Sequence, residues 1–186
     1  FCQLVKALDM TVFLSHPERD LALGKLFNSV FVIDGQGKIV GKHRKIKALH
    51  GAEAWSSPGW EIEPIEADGI KVGLLVCADG YKNDVARVLK DKGAQVLVSP
   101  SAWGPGECGP DGEWVQRTRD TGLPMMVCNR SGGKGDDLDY SLAESVVAHG
   151  GEALLVATSK RSVVLSFDWD MVNMKLLSPE FSKTYF

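Results

Sequence analysis

The sequence predicts an α/β protein in which helices cover mixed β-sheets. Three observations carry this prediction: hairpin patterns toward both ends, an alternation of apolar strands with amphipathic helices between them, and turn-forming residues at the boundaries. Strands that alternate with helices are typical of β-α-β units, whereas hairpins indicate antiparallel pairs. At 186 residues the chain is long enough for a sizeable core, and we assign residues 1–186 to one domain.

The composition argues against several classes of function. Hydrophobic residues make up 44% of the chain and charged residues 24%, as in an ordinary soluble globular protein. The formal net charge of −3 gives no electrostatic reason to expect nucleic acid or an anionic membrane as a partner. The sequence shows no membrane-spanning stretch and no signal peptide. Cys2, Cys77, Cys108 and Cys128 lack zinc-like spacing and a dense disulfide pattern, so we expect no metal site of this kind and a reducing, cytoplasmic compartment.

The first third of the chain is predicted to contain a helix and a strand hairpin. Leu4, Val5 and Leu8 fall at helical spacing, and the Asp-Gly-Gln-Gly turn at residues 34–37 is a strong hairpin signal. The elements predicted before the central strand are, in order, a helix over residues 2–10, strands over 11–14, 26–34 and 38–45, a loop or short helix over 48–59, and an exposed strand over 61–67.

The centre of the chain is a buried strand that ends at a cysteine. Residues 72–76 form a short apolar run of the kind expected for a strand buried on both faces. Cys77 follows it directly, and Asp79 and Gly80 supply turn chemistry. A cysteine between a buried strand and the start of a helix lies at the edge of the sheet where substrates bind. Cys77 is therefore the candidate nucleophile.

A helix is predicted next, over residues 82–93. Its apolar residues share one face, Asn83 or Asp84 can cap its start, and Gly93 can end it. The elements predicted after it are strands over residues 95–99 and 125–128, a helix over 114–120, loops over 100–112 and 131–135, a hairpin of 143–149 with 153–158, a strand over 162–167, a short helix over 171–177, and a tail.

A reactive thiol at Cys77 needs a base or a nearby cation. The pKa of an unperturbed thiol is about 8.5, so only a few per cent is thiolate at neutral pH. The upstream candidates for the cation are Arg44, Lys45 and Lys47 at the end of the predicted strand. Lys45 and Glu53 are eight residues apart, so their segment can fold back and present an ammonium and a carboxylate together. We regard Arg44 and Lys47 as solvated strand-end charges.

Other interpretations of Cys77 stay open at this point. A lone cysteine after a buried strand is often an inert core residue. A papain-like pair with a histidine is a second possibility, and His149 is the best-placed downstream candidate. A redox-sensing thiol is a third, although the motif has no neighbouring resolving cysteine.

A set of motifs runs through the chain in a definite order: Asn28-Ser29, the hairpin of residues 32–41, Gly41-Lys42-His43-Arg44-Lys45-Ile46, Glu53, Pro58-Gly59, Cys77-Ala78-Asp79-Gly80, Ser101-Ala102-Trp103 and Cys128-Asn129-Arg130. In order and spacing they resemble the nitrilase superfamily of carbon–nitrogen hydrolases. The resemblance extends from about Leu8 to the last strand. It implies an α-β-β-α sandwich of the nitrilase type, paired with a second subunit as a homodimer or higher homo-oligomer.

The resemblance also implies a Glu-Lys-Cys active site. Carried over to this chain, Cys77 is the nucleophile that attacks an amide or nitrile carbon. Lys45 and the backbone N–H of Ala78 stabilise the tetrahedral oxyanion. Glu53 matches the second, supporting glutamate of the family, which holds the lysine or the substrate amino group. No metal or cofactor takes part in this chemistry.

Two further residues are candidates for substrate binding. The amidase branch of the family has an acid near the substrate amide at the position of Asp79, which could instead cap the following helix. Trp103 forms either a wall of the acyl pocket or hydrophobic filler beneath its loop. The Cys-x-Asp-Gly sequence is more similar to the amidases than to the nitrile-hydrolysing members, which commonly have Trp-Glu after the cysteine. We therefore expect hydrolysis of a small carboxamide, with nitrile hydrolysis as the alternative.

The chain departs from the family at the general base. The family's base glutamate lies well before the lysine, in a region that this sequence does not contain. His16-Pro17-Glu18 imitates the Phe-Pro-Glu motif of that region, but Glu18 is too close to Lys45, and its segment matches the later strand that leads into Asn28-Ser29. We expect either a longer protein with an N-terminal segment or a catalytically incomplete member that acts as a binding module or subunit.

Overall fold

The computed structural model describes residues 1–49, 51, 53–104, 110–132 and 139–186. Contacts between Cα atoms divide the chain into two compact units, Phe1–Pro100 and Ser101–Phe186. Parts of the predicted loops over residues 48–59, 100–112 and 131–135, and also Cys108, lie outside the described residues. Within the described ranges, no helix has the length and apolar character that a membrane span needs.

The first unit contains two helices and two sets of strands. Its elements are α1 (Cys2–Ala7), β1 (Val12–Asp20), β2 (Lys25–Ile33), β3 (Ile39–Arg44), β4 (Ile65–Ala67), β5 (Ile70–Leu74), a 3₁₀ turn (Cys77–Gly80), α2 (Asn83–Asp91) and β6 (Val96–Ser101), whose last residue crosses the boundary. β1, β2 and β3 form an antiparallel sheet. β4 pairs antiparallel with β5, which pairs parallel with β6. The predicted hairpin and the predicted β-α-β unit are both confirmed.

The strand after α1 is longer than its sequence pattern indicates. β1 includes His16, Pro17 and Glu18, which pair with β2 from Ser29 to Phe27. A proline has no N–H for the ladder and is tolerated on an edge strand, which is the position of β1 in its sheet. β1 and β2 thereby hold the side chain of Glu18 beside the end of β3.

Helix α2 packs on β5 through small residues. A Cβ atom on Gly73 would lie 2.9 Å from Leu97 of β6 and 3.1 Å from Leu89 of α2, which is closer than ordinary van der Waals contact. Gly93 takes a positive φ of 89° just after the helix, as predicted. The prediction that Asn83 or Asp84 caps the helix is wrong. The helix begins at Asn83, and its N-cap residue is Lys82, whose side chain makes no capping hydrogen bond.

The second unit is built mainly from antiparallel strands. Its elements are α3 (Glu113–Thr121), β7 (Met125–Asn129), a 3₁₀ turn (Tyr140–Leu142), β8 (Ser145–His149), β9 (Glu152–Ala157), β10 (Val163–Ser166), β11 (Trp169–Asp170), β12 (Lys175–Leu176) and β13 (Ser182–Tyr185). β7, β8 and β9 pair antiparallel in that order, as do β10 with β13 and β11 with β12. The predicted hairpin over residues 143–158 is confirmed.

The predicted strand over residues 162–167 is confirmed as β10, but the predictions for residues 171–186 are wrong. In place of the predicted helix over residues 171–177, the chain has a turn over residues 171–174 followed by β12. The side chain of Asp170 favours this turn because it accepts hydrogen bonds from the backbone N–H groups of Val172 and Asn173. The predicted tail contains β13. Both features are stabilised by an apolar cluster around Phe181, which a local pattern does not reveal.

Candidate active site

Cys77 lies at a sharp turn between a strand and a helix. The chain leaves β5 in extended conformation, with the N–H of Leu75 donating to the carbonyl of Val98 at 3.0 Å. Cys77 then opens the 3₁₀ turn with a φ of +49°, a left-handed conformation that non-glycine residues rarely adopt. Such strain is found at functional sites, and a strand-turn-helix with a strained nucleophile is the arrangement of a nucleophile elbow. The residue is 9% exposed.

Lys45 directly follows β3 and is buried. Its N–H donates to the carbonyl of Asn28 at 2.8 Å, and its carbonyl accepts from the N–H of Gly59 at 2.7 Å. A Cβ atom on Gly59 would lie 2.3 Å from the carbonyl oxygen of Arg44, so the Pro58-Gly59 motif permits a close approach of two backbones. The Lys45 side chain is 2% exposed, and its Nζ donates to Oε2 of Glu53 at 2.5 Å.

Glu53 holds Lys45 and is itself held in place. Its Oε2 also accepts from the N–H of Leu49 at 2.9 Å, and its Oε1 accepts from Nδ2 of Asn28 at 2.9 Å. The predicted folding back of residues 45–53 is therefore confirmed as a contact. The role of Asn28 in this contact was not predicted, although Asn28-Ser29 was one of the motifs that carry the resemblance.

Alternation along β3 separates the charged side chains onto two faces, since successive residues of a strand point to opposite sides. Lys42 and Arg44 contact Glu18, whereas His43 and Lys45 contact different carboxylates. We call the first group the Glu18 cluster; its members are Glu18, Asp20, Ser29, Lys42 and Arg44. We call the second group the Lys45 network; its members are Asn28, His43, Lys45, Glu53 and Asp79.

Glu18 is unsuited to act as a general base. Nε and Nη2 of Arg44 donate to its two carboxylate oxygens at 2.9 Å and 2.5 Å, and Ser29 Oγ donates at 2.7 Å. These bonds, led by the one from Arg44 and aided by Lys42, lower the pKa of Glu18 to about 2. A carboxylate with so low a pKa is a weak base near neutrality. Arg44 is thus not a solvated strand-end charge: its guanidinium also contacts Asp20 at 2.6 Å.

Asp79 connects the chain around Lys45 to the turn that contains Cys77. Its Oδ1 accepts from the N–H groups of Ile46 at 3.0 Å and Lys47 at 2.8 Å. Its Oδ2 accepts from the N–H of Val76 and from Nε2 of His43, both at 3.0 Å. The carboxylate is completely buried. The sequence pointed to Asp79 but not to its partner His43, which has no distinguishing local pattern.

The other predicted site residues lie in different surroundings. Ala78 is buried directly after Cys77 in the 3₁₀ turn. Trp103 belongs to the second unit, where its indole packs edge to face against Trp114 with ring centroids 4.8 Å apart. His149 also belongs to that unit and packs against Trp169 at 6.0 Å. Among the residues that the structure describes, no group of three or more His, Cys, Asp or Glu side chains is placed to hold a metal ion.

The family model of the carbon-nitrogen hydrolases matches residues 1–174. The chain belongs to this family. Within the nitrilase superfamily, the chain is 25% identical over 167 residues to nitrilase homolog 2 of Dictyostelium discoideum, a match that covers 84% of this chain and 51% of that protein. It is 28% identical over 163 residues to the human omega-amidase NIT2, covering 82% of this chain and 58% of the relative.

The match to solved structures confirms the predicted fold class. A carbon-nitrogen hydrolase from Helicobacter pylori G27 superposes with a TM-score of 0.77 and 28% identity, over 87% of this chain and 62% of that one. The fold is therefore the α/β sandwich of the nitrilase superfamily. This carbon-nitrogen hydrolase chain spans between about half and three-fifths of the length of these relatives.

Proposed function

We propose that the protein is a thiol amidohydrolase that converts a small carboxamide into a carboxylic acid and ammonia. The observation that carries the proposal is the Asp79 carboxylate, which bonds the backbone just after Lys45 and just before Cys77. One side chain thus holds together the two segments that bear a buried ammonium and a strained cysteine. Membership in the carbon-nitrogen hydrolase family, and the relatives named omega-amidases, support amide cleavage in particular.

In the proposed reaction the sulfur of Cys77 attacks the amide carbon. A C–S bond forms, and the carbonyl π electrons move onto oxygen. The ammonium of Lys45 and the N–H of Ala78 stabilise that oxyanion, a contribution that typically accounts for 10²- to 10³-fold in rate per donor, on the order of 3 kcal/mol. The thiol proton passes through a base to the amide nitrogen, the C–N bond breaks, and ammonia leaves. Water then hydrolyses the thioester, which releases the acid and restores the thiol.

Glu53 acts in this scheme by holding Lys45. The carboxylate accepts hydrogen bonds from Lys45, Leu49 and Asn28, so it fixes the ammonium rather than moving a proton. The base is a different group, because Glu18 is bound by Arg44 in the Glu18 cluster. The family resemblance assigns that base to a glutamate preceding the strands described here, so the proposed activity is that of the whole protein.

Ammonia release from short amides and short nitriles tests the proposal. We expect turnover of amides, with none above background in Cys77→Ala and unchanged turnover in the matched variant Cys128→Ala, which removes an exposed thiol of β7. Turnover of nitriles alone contradicts the amidase assignment in favour of a nitrilase. No turnover of either class supports an incomplete member that acts as a binding module or subunit.

Alkylation by iodoacetamide tests the nucleophile separately from turnover. We expect Cys77 to react faster at neutral pH than the exposed Cys128, and faster than Cys2 on α1. Both cysteines serve as references, since neither belongs to the turn that contains Cys77. Equal rates for Cys77 and Cys2 would remove the support for an activated thiol.

We propose a homodimer or higher homo-oligomer and a cytoplasmic location for the whole protein, on the family resemblance and on cysteine usage respectively. We likewise propose Trp103 as a wall of the acyl pocket. A change in amide chain-length preference in Trp103→Ala tests this role. The control is Trp60→Ala, which removes an exposed tryptophan that packs on Phe27 and should leave the preference unchanged.

A further inference from the structure

The hydrogen bonds of Asp79 come from both segments that carry the proposed chemistry. Two donors are the backbone N–H groups of Ile46 and Lys47, and a third is the N–H of Val76. The fourth is the Nε2 of His43, two residues before the reactive lysine in β3. The carboxylate therefore bonds the chain before and after Lys45, and it also bonds Val76, which precedes Cys77.

This carboxylate has no capacity left for a substrate. An ionised carboxylate offers about four lone-pair sites, and all four are used by donors within 3.0 Å. The Asp79 side chain is 0% exposed and that of His43 is 1% exposed. A substrate amide could reach Asp79 only by displacing a backbone N–H, which would leave a buried donor unsatisfied. Asp79 thus acts on the reaction through the residues that it holds.

We propose that His43 and Asp79 are a pair of positioning residues that set the ammonium of Lys45 relative to the sulfur of Cys77. The inference rests on the proposed function and extends it to two residues that touch no substrate. Because a carboxylate only accepts, His43 carries a proton on Nε2 in this arrangement. The pair fixes the end of β3 against the 3₁₀ turn, so the strained Cys77 and the buried lysine keep one mutual geometry.

The proposal predicts that the influence of Lys45 on Cys77 depends on His43. The readout is the rate constant for iodoacetamide alkylation of Cys77, measured by peptide mass spectrometry with Cys2 as internal reference. In the otherwise native chain we expect Lys45→Met to slow this alkylation about tenfold, because the loss of a nearby cation lowers the fraction of reactive thiolate. In the His43→Leu background, which lacks the donor to Asp79, we expect Lys45→Met to change the rate less than about twofold.

The conservative variant His43→Gln is the matched control. Its amide N–H can donate to Asp79, so the roughly tenfold effect of Lys45→Met should return in this background. If the role of His43 is purely structural, His43→Leu has a lower thermal unfolding midpoint, but Lys45→Met still slows alkylation about tenfold in that background. That result would overturn the proposal. If His43→Leu does not fold, Asp79→Asn replaces it. Its amide NH₂ takes the place of one carboxylate oxygen and therefore faces backbone donors in either orientation, the N–H groups of Ile46 and Lys47 or the N–H of Val76, so the same loss of coupling is expected.

Failure of this inference is distinguishable from failure of the proposed function. If Lys45→Met leaves the alkylation of Cys77 unchanged in the native chain, the lysine does not activate the thiol and this inference is wrong, whereas the proposed function is overturned only if amides release no ammonia or if Cys77→Ala releases it at the native rate. If Lys45→Met slows alkylation equally in the native chain and in His43→Leu, the thiol is activated, and only the positioning role of His43 and Asp79 is wrong.

Discussion

The two faces of β3 carry similar charged side chains in different surroundings. In the Glu18 cluster, the side chain of Lys42 is 42% exposed. Glu18 accepts hydrogen bonds from Ser29 and Arg44 as well, so it keeps donors when Lys42 is removed. In the Lys45 network, the lysine is 2% exposed and its ammonium contacts the carboxylate of Glu53. Removing a partner from a buried pair leaves an uncompensated charge, whereas water replaces a lost partner at the surface. Water can therefore replace the partner of the exposed Lys42, whereas the buried Lys45 depends on Glu53.

The largest expected difference between the faces is in catalysis. Lys45→Met removes the proposed oxyanion cation, and we expect kcat for amide hydrolysis to fall by about 10²- to 10³-fold. Lys42→Met removes the exposed lysine on the opposite face of β3. It should change kcat by less than about twofold, since exposed ion pairs contribute little. Equal losses of kcat in the two variants would mean that the two faces do not differ in function.

The next effect is on stability. Glu53→Gln leaves the ammonium of Lys45 buried without its counter-charge, and we expect the free energy of unfolding to fall by about 3 kcal/mol. Urea denaturation of Glu53→Gln and of the double variant Glu53→Gln/Lys45→Met measures it, since removing both charges should restore part of the loss. A single variant as stable as the native chain contradicts a buried ion pair.

Glu18→Gln is expected to have a smaller and pH-dependent effect. The pKa of Glu18 is lowered from 4.5 to about 2 by its bonds to Arg44 and Lys42, so the ionised form stabilises the fold above the unfolded pKa. We expect a loss of about 1 to 2 kcal/mol at pH 7 after allowance for solvent screening. The difference from the native chain should shrink as pH falls from about 4.5 toward 2. A difference that stays constant over that range contradicts the lowered pKa.

The smallest effect is expected where a surface lysine meets an exposed acid. Lys47 Nζ contacts Asp84 Oδ2 at 2.7 Å, with 57% of the acid side chain exposed. Asp84→Asn should change the free energy of unfolding by less than about 0.5 kcal/mol, because solvent already screens the pair. A loss as large as that of Glu53→Gln would remove the distinction between buried and exposed pairs on which the other predictions depend.

Local patterns predicted the parts of the site that are close in sequence. Lys45 and Glu53 are eight residues apart, and their contact follows from a loop that folds back on one strand end. The turn at Cys77 follows from an apolar run that stops at Asp79 and Gly80. His43 was missed because its partner Asp79 is 36 residues away. A single histidine in an alternating strand carries no local sign of such a partner.

By itself, the sequence determined the alternation of strands and helices, the turn that presents Cys77, and the lysine and glutamate that fold back on each other. Only the tertiary structure decided that Glu18 is held by Arg44, that His43 meets Asp79, and that the end of the chain pairs as strands around Phe181. The physical reason is how far apart in the sequence the interacting residues lie. Turns and periodicity depend on neighbouring residues, whereas the pairing of a buried charge depends on which strands are brought together when the core forms.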